Sequence, residues 1–204
     1  LHHVEKSDNK LMDELGIDKN KFIVSYAGDI GLFQGWPCIV DAAKKVALEN
    51  SNIHFAIIGS GSYRENLEKQ IKEENITNIS LHPLQPASRL SEIYSIGDLE
   101  LVAIEPGLSK MALPSKTWVI MSVGSAILSL VDQSSDIAQN IKKFNMGYTL
   151  EHGDSEALKN TILEAYDNRE NLSNMGKNAR CFSEQHTARK IQTKKYFEEL
   201  KKLL

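Results

Sequence analysis

Cysteine is nearly absent: the 204 residues hold two, Cys38 and Cys181, with no C-x-x-C spacing. That excludes a disulfide framework and a thiolate metal knuckle, and leaves the expectation of reduced, buried thiols in a cytoplasmic protein. Basic charge is scarce too. Lys and Arg number 24 against 27 Asp and Glu, a formal net charge of −3, whereas nucleic-acid binders carry an excess of cations; no such partner is expected. Long apolar runs are missing. The longest, Trp118 to Val131, is too short to span a bilayer and is interrupted by Gly124. The opening residues Leu1-His2-His3-Val4-Glu5-Lys6 lack the apolar core of a secretion signal. Six histidines are scattered without H-x-x-x-H or H-E-x-x-H spacing, so no metal is expected. No G-x-S-x-G elbow and no GK[ST] appears either, which argues against a serine nucleophile and a Walker phosphate loop.

What is present is an alternation. Hydrophobic residues make up 41% and charged residues 25%, the balance of a globular chain that can bury a sizeable core. Strand-like runs are expected at Phe22–Gly28, Ile53–Gly59, Ile79–Leu84, Leu99–Glu105, Ala126–Asp132 and, more weakly, Met146–Leu150. Several are apolar almost throughout, as strands covered on both faces must be. Helical patterns separate them at Pro37–Leu48, Tyr63–Glu74, Arg89–Ile96, Ser115–Val123, Ser135–Phe144 and Asp154–Asn168, followed by two polar helices. Strand–helix repetition of this kind predicts an α/β fold: a Rossmann-like, doubly wound parallel sheet of about six strands, helices on both faces. We expect one domain, with residues 1–20 a polar lead-in carrying a short helix at Lys10–Leu15, 21–168 the α/β core and 169–204 C-terminal helices.

Ligands of such sheets bind beyond the carboxyl ends of the strands, so the residues after each strand carry the functional information. GDIGLFQG, residues 28–35, follows the first strand, and its glycines let backbone amides approach an anion. GSGSYREN, residues 59–66, has two glycines of a dinucleotide fingerprint but places Arg64 where the third should stand, and no acidic residue ends the next strand. A nicotinamide cofactor is not expected. A cation in the first turn of a helix opposes the helix dipole, so Arg64 calls for a use, such as an anion in the crevice. EPGLSKMALPSK, residues 105–116, supplies Gly107 in a loop, Pro114 at a turn, Ser115 as N-cap and Lys116 projecting from the first helical turn. Alone, this is a capped helix with a solvated lysine. Beside two further glycine loops at one sheet edge, it is suited to a pyrophosphate.

The order YAGDIGLFQGWPCIVDAA, HFAIIGSGSYRENLE, LHPLQPASRLSEIYSIGDLELVAIEPG and LPSKTWVIMSVGSAIL resembles the C-terminal, donor-binding half of GT-B retaining glycosyltransferases of group 1, or family four. The nearest likeness is to the branch with a PSK motif, which includes capsule, O-antigen and colanic-acid sugar transferases. The resemblance covers roughly residues 22–176. It implies that Gly28, Asp29 and Gly31 lie against the donor phosphates and face the acceptor cleft. By the same likeness Gly59, Gly61 and Arg64 form a turn near the nucleotide, and Leu84 and Gln85 pair with the base. Glu105 and Gly107 would close over sugar and phosphates, and Ser115 and Lys116 would hold the pyrophosphate. Lys116, Arg64 and Glu105 are the candidate catalytic residues. Two departures stand out. Met111 and Val119 occupy the positions of a glutamate pair whose second member usually holds the ribose, and Asp29 and Gln34 fall near a basic pair that many relatives use for phosphates.

The function implied is transfer of a sugar from a nucleoside-diphosphate sugar to a polysaccharide or lipid-linked acceptor, without metal or other cofactor. The partners implied are that donor and an N-terminal acceptor domain of the same protein, acting in the cytoplasm or at the inner face of the membrane. A sugar-nucleotide epimerase of the same architecture and a non-catalytic α/β interaction module are the competing readings. The first would be expected to show carboxylates and histidines in the crevice; the second should ignore nucleoside diphosphates.

Overall fold

The computed structural model describes residues 1–107, 115–187 and 189–201. Six strands form one parallel sheet: β1 (Phe22–Asp29), β2 (Ile53–Ser60), β3 (Ile79–His82), β4 (Leu99–Ala103), β5 (Ile127–Leu130) and β6 (Gly147–Leu150), in spatial order β3-β2-β1-β4-β5-β6. Pairing of β1 with β2 is continuous from Phe22↔Ile53 to Asp29↔Ser60, and β1 meets β4 at Val24↔Leu99 and Ser25↔Glu100. The expected strands all form. Three are shorter at their carboxyl ends than the apolar runs suggested: β3 stops at His82, β4 at Ala103 and β5 at Leu130.

Helices cover both faces. Two of them, α2 (Trp36–Glu49) and α7 (Ser155–Asp167), pack on one face with α3 (Arg64–Glu73), enclosing Phe22, Val24, Tyr26, Phe55 and Ile57. On the other face α1 (Lys10–Leu15), α4 (Leu90–Ile93), α5 (Ser115–Val123) and α6 (Asp136–Lys143) enclose Ile23, Ala27, Ile58 and Val102. A long α8 (Arg169–Phe182) contributes Leu172 and Met175 to the first cluster and Ala179 and Phe182 to the second. It passes through a π turn at Ser183–Thr187 into α9 (Arg189–Lys201). The alternation of strand residues between faces is what a covered parallel sheet requires.

Local chemistry starts the helices where the sequence signals them. Asn9 accepts from Leu11 N at 3.1 Å, Ser135 from Ala138 N at 3.3 Å and Asp154 from Ala157 N at 2.9 Å, each satisfying a free N–H of a first turn. The lead-in carries its short helix at Lys10–Leu15 and is docked on the core: Leu11 and Met12 are fully buried, Val4 N donates to Ser95 Oγ and Lys6 pairs with Asp98. Apolar residues three and four apart in so short a helix suffice to dock it. One expectation is corrected, that both thiols are buried: Cys38 is half-buried and Cys181 is exposed, because the latter lies on the outer side of α8.

Close packing of α8 on the α5–β5 turn depends on a missing side chain. A β-carbon on Gly176 would lie 2.2 Å from the carbonyl oxygen of Gly124. Gly176→Ala is therefore expected to destabilise by about 1–3 kcal/mol despite the better helix propensity of alanine. Scanning calorimetry should show a melting temperature lower by several degrees; an unchanged or raised value would contradict this packing.

Candidate functional site

The crossover direction reverses between β1 and β4, and the loops leaving their carboxyl ends face each other there. They are joined: Glu105 N donates to Phe33 O at 2.8 Å. Gly107, at φ 84°, donates its N–H to Asp132 Oδ2 at 3.0 Å and has open space where a β-carbon would be. At the start of the neighbouring helix, Ser115 is the first residue of α5, one position further in than an N-cap, and it is exposed. Met111 and Pro114 lie outside the described residues.

Lys116 is not a solvated helix residue: it reaches back over the end of β1, where its Nζ lies 3.5 Å from the centroid of the Tyr26 ring. A β-carbon on Gly28, which has φ 136°, would stand 3.1 Å from that nitrogen, so Gly28 leaves room for the lysine as well as adopting a backbone that other residues avoid. The residue is half-exposed, but its amino group is desolvated, and burial pushes its pKa down to about 7 against the opposing pull of Asp29 and Glu100. Among the described residues no carboxylate lies within ion-pair distance of it.

Two buried aromatics support this arrangement. Tyr26 donates its hydroxyl to Asp29 O at 2.5 Å, and Trp36 donates Nε1–H to Gly31 O at 3.0 Å. Their rings meet edge to face at 4.9 Å. Each therefore fixes one carbonyl of the first glycine loop. The loop is closed from the other side by His152, whose Nε2 would lie 1.9 Å from a β-carbon on Gly35. Below the crevice, Glu100 is 1% exposed on β4. One of its oxygens accepts from Gly97 N at 3.1 Å. Burial raises its pKa to about 8, although Ser25, Gly97 and Lys116 all favour the carboxylate.

The remaining sequence candidates divide between loop, staple and opening. Gly59 and Gly61 bring the second glycine turn onto the first: β-carbons there would lie 1.9 Å from Gly28 O and 2.4 Å from Ile30 O. The Asp29 carboxylate sits between the turns, since β-carbons on Gly31 and Gly61 would come within 2.6 Å of Oδ2 and 2.7 Å of Oδ1. Arg64 acts here as a staple. Its Nη1 donates to Gly59 O at 2.6 Å and His82 O at 2.9 Å, while Nε pairs with Glu68 at 2.8 Å, tying the ends of β2 and β3 together. Beyond β3, Leu84 is 62% exposed and Gln85 donates Nε2–H to Pro83 O at 2.9 Å, leaving an open rim. Val119 packs on the apolar cluster beneath α5. A cavity of about 620 Å³ opens at the opposite edge, lined by Asp98, Gly124, Lys177 and Arg180. The loops converge at the carboxyl edge, and the Lys116 amine lies there, the edge at which sheets of this kind bind ligands. Among the described residues, no three His, Cys, Asp or Glu side chains gather as a metal site, and no helix is long and apolar enough to cross a membrane.

Sequence reasoning missed Tyr26, Trp36, His152 and Glu100. For Glu100 a signal existed: it is the lone charge inside the apolar LELVAI run of residues 99–104.

The fold and this edge define a doubly wound α/β domain with a polar crevice at its switch point. The chain belongs to the glycosyl transferases group 1 family, whose model matches residues 7–182. It is 30% identical over 167 residues to the colanic acid biosynthesis glycosyl transferase WcaI of Escherichia coli K12, covering 81% of this chain and 40% of that protein. It is 25% identical over 178 residues to the glycosyltransferase WbjE of Pseudomonas aeruginosa, covering 87% and 44%. The chain thus spans about two fifths of the curated relatives it matches. Anabaena HepE in complex with UDP-glucose superposes with a TM-score of 0.80 at 17% identity, over 98% of this chain and 54% of that one. The C-terminal domain of a group 1 glycosyl transferase (LpcC) from Francisella tularensis gives 0.70 at 12% identity, over 90% of this chain and 97% of that domain. Both confirm the fold.

The buried pair makes stability depend on pH with opposite signs. Glu100 has a raised value in the fold, so its contribution is complete below the ordinary carboxylate range and is lost as pH rises toward about 8. Lys116 has a depressed value, so its contribution appears as pH rises from about 7 toward the usual lysine range. Glu100→Gln should therefore gain stability over the native chain at pH 8 relative to pH 5, by at most roughly 1.4 kcal/mol per pH unit. Urea unfolding at the two pH values checks this, and parallel curves would refute it.

Proposed function

We propose that this chain is the donor-binding half of a retaining group 1 glycosyltransferase that moves a sugar from a nucleoside-diphosphate sugar to a polysaccharide or lipid-linked acceptor. The observation that carries the reading is the desolvated Lys116 amine, unpaired among the described residues, at the switch point beside Gly28 of the first glycine turn and at the start of α5. An N-terminal half would supply the acceptor site, in keeping with the share of its relatives that the chain spans. The names of WcaI and of the UDP-glucose complex of HepE support the substrate class. Work in the cytoplasm or at the inner membrane face belongs to the same reading.

In this mechanism the leaving diphosphate meets Lys116 and the N-terminal end of the nine-residue α5. Charge developing on it is then stabilised by a cation and by free backbone N–H groups that need no reorganisation. Gly28, Gly59 and Gly61 keep side chains out of the approach. Arg64 holds the loops that border it, Leu84 and Gln85 offer backbone to the base, and Glu105 with Gly107 lies over the sugar. The exposed Leu32 and Phe33, 59% and 57% accessible, would face the acceptor half.

UDP or GDP at about 100 times its dissociation constant should stabilise the chain by roughly 2.7 kcal/mol. Replacing Lys116 by Met, close in shape but uncharged, should weaken diphosphate binding by about 1.5–3 kcal/mol and leave nucleoside binding nearly unchanged. Thermal shift and calorimetry report both, and indifference to every nucleoside diphosphate at millimolar concentration would remove the reading. The 204-residue chain is also expected to transfer no sugar by itself. Robust turnover by the purified chain would place the acceptor site within it.

A further inference from the structure

We propose that Tyr26 and Glu100 set the charge state of Lys116, so that the free crevice holds a partly uncharged amine that takes up a proton when a diphosphate binds. The inference rests on the donor-site reading above and assigns two positioning residues to it.

An ammonium group has three N–H donors and is strongly hydrated, so it stays charged in a dry site only where acceptors or a counter-ion replace the water. Among the described residues around Lys116 the replacement is meagre. The Tyr26 ring covers one side at 3.5 Å and the Gly28 backbone lies beside it. That ring cannot turn away. It is 1% exposed, tethered through its hydroxyl to Asp29 O at 2.5 Å and braced by Trp36. A ring face attracts a cation, but far less than water does.

Among the described residues, the charged and titratable groups facing the amine come from β1 and β4. Asp29 at the end of β1 and Glu100 on β4 both favour the ammonium, and neither reaches ion-pair distance. Glu100 is itself surrounded by Ser25, Gly97, Tyr94 and Asp98, the last already paired with Lys6. It is predominantly protonated near neutrality and so gives the lysine little support. Desolvation therefore wins on both groups, with Lys116 near 7 and Glu100 near 8. A diphosphate brings the missing acceptors and negative charge. The amine then takes one proton from solvent, R–NH2 becoming R–NH3⁺, and no other bond changes. Affinity should fall by up to roughly tenfold per pH unit above about 7.

Two measurements on the 204-residue chain decide the matter. In the ligand-free protein, ¹⁵N-lysine NMR, with the signal assigned by its loss in Lys116→Arg, should show Lys116 titrating well below the other lysines. Glu100→Gln, which keeps the neutral form of the acid, and Tyr26→Phe should both leave that midpoint nearly unchanged, and Tyr26→Leu, which opens the amine to water, should raise it. Calorimetry with UDP-glucose, whose diphosphate diester has no proton to exchange near neutrality, should give different heats at pH 7.5 in buffers of different ionisation enthalpy. The expected uptake is most of one proton in the native chain and in Tyr26→Phe, and none in Lys116→Arg. A Lys116 that titrates with the surface lysines overturns the proposal, and so do equal heats in both buffers. Absence of UDP-glucose, UDP and GDP binding at any pH would instead defeat the donor-site reading, while the NMR titration still reports on the seat of the amine.

Discussion

Everything at the functional edge depends on β1 being paired on both sides. Its continuous register with β2 brings Gly28 opposite Gly59 and Asp29 opposite Ser60, which stacks the two glycine turns. The Ser25↔Glu100 pairing with β4 sets the opposite wall, and with it the loop that begins at Glu105. Because the crossovers run away from β1 in both directions, no helix of the described residues covers the gap between these loops. A crevice is left by topology, before any side chain is placed.

Into that gap the chain puts a lysine under conditions that a stability argument alone would not choose. Burying an amine without a counter-ion, above a buried carboxyl group, costs folding free energy. The cost is limited because both groups can discard their charge, one by losing a proton and the other by keeping it. Local rules broken in the interior and satisfied nowhere else mark a position held for a purpose other than stability. Tyr26 and Trp36 serve that position twice, by packing beneath it and by holding the carbonyls of Asp29 and Gly31 through their polar atoms.

The first glycine loop, residues 28–35, carries no cation: Asp29 and Gln34 stand in it, and the Asp29 carboxylate lies between the glycine turns. Gln34 Oε1 is buried there without a hydrogen-bond partner. Arg64 is drawn into the scaffold by two carbonyls and Glu68, which leaves Lys116, among the described residues, as the basic group seated at the switch point.

The sequence by itself determined the architecture and the edge at which to look. Apolar strands, helix-starting residues such as Asp154 and Ser135, and glycines after the first, second and fourth strands are local signals. They act through backbone conformation and burial, which neighbours in the chain control. Six strands, the extent of α5 and the convergence of three loops were legible in that way. Tertiary structure decided what those residues do. Arg64 became a staple because β3 ended beside it, and Lys116 became a buried amine because Gly28 and the Tyr26 ring, some ninety residues earlier, left a space that its side chain fills. The docking of α1 and the companionship of Glu100 with Ser25 were settled in the same way, by elements distant in the chain. Desolvation and charge state are properties of a surrounding volume, and only the folded chain encloses one.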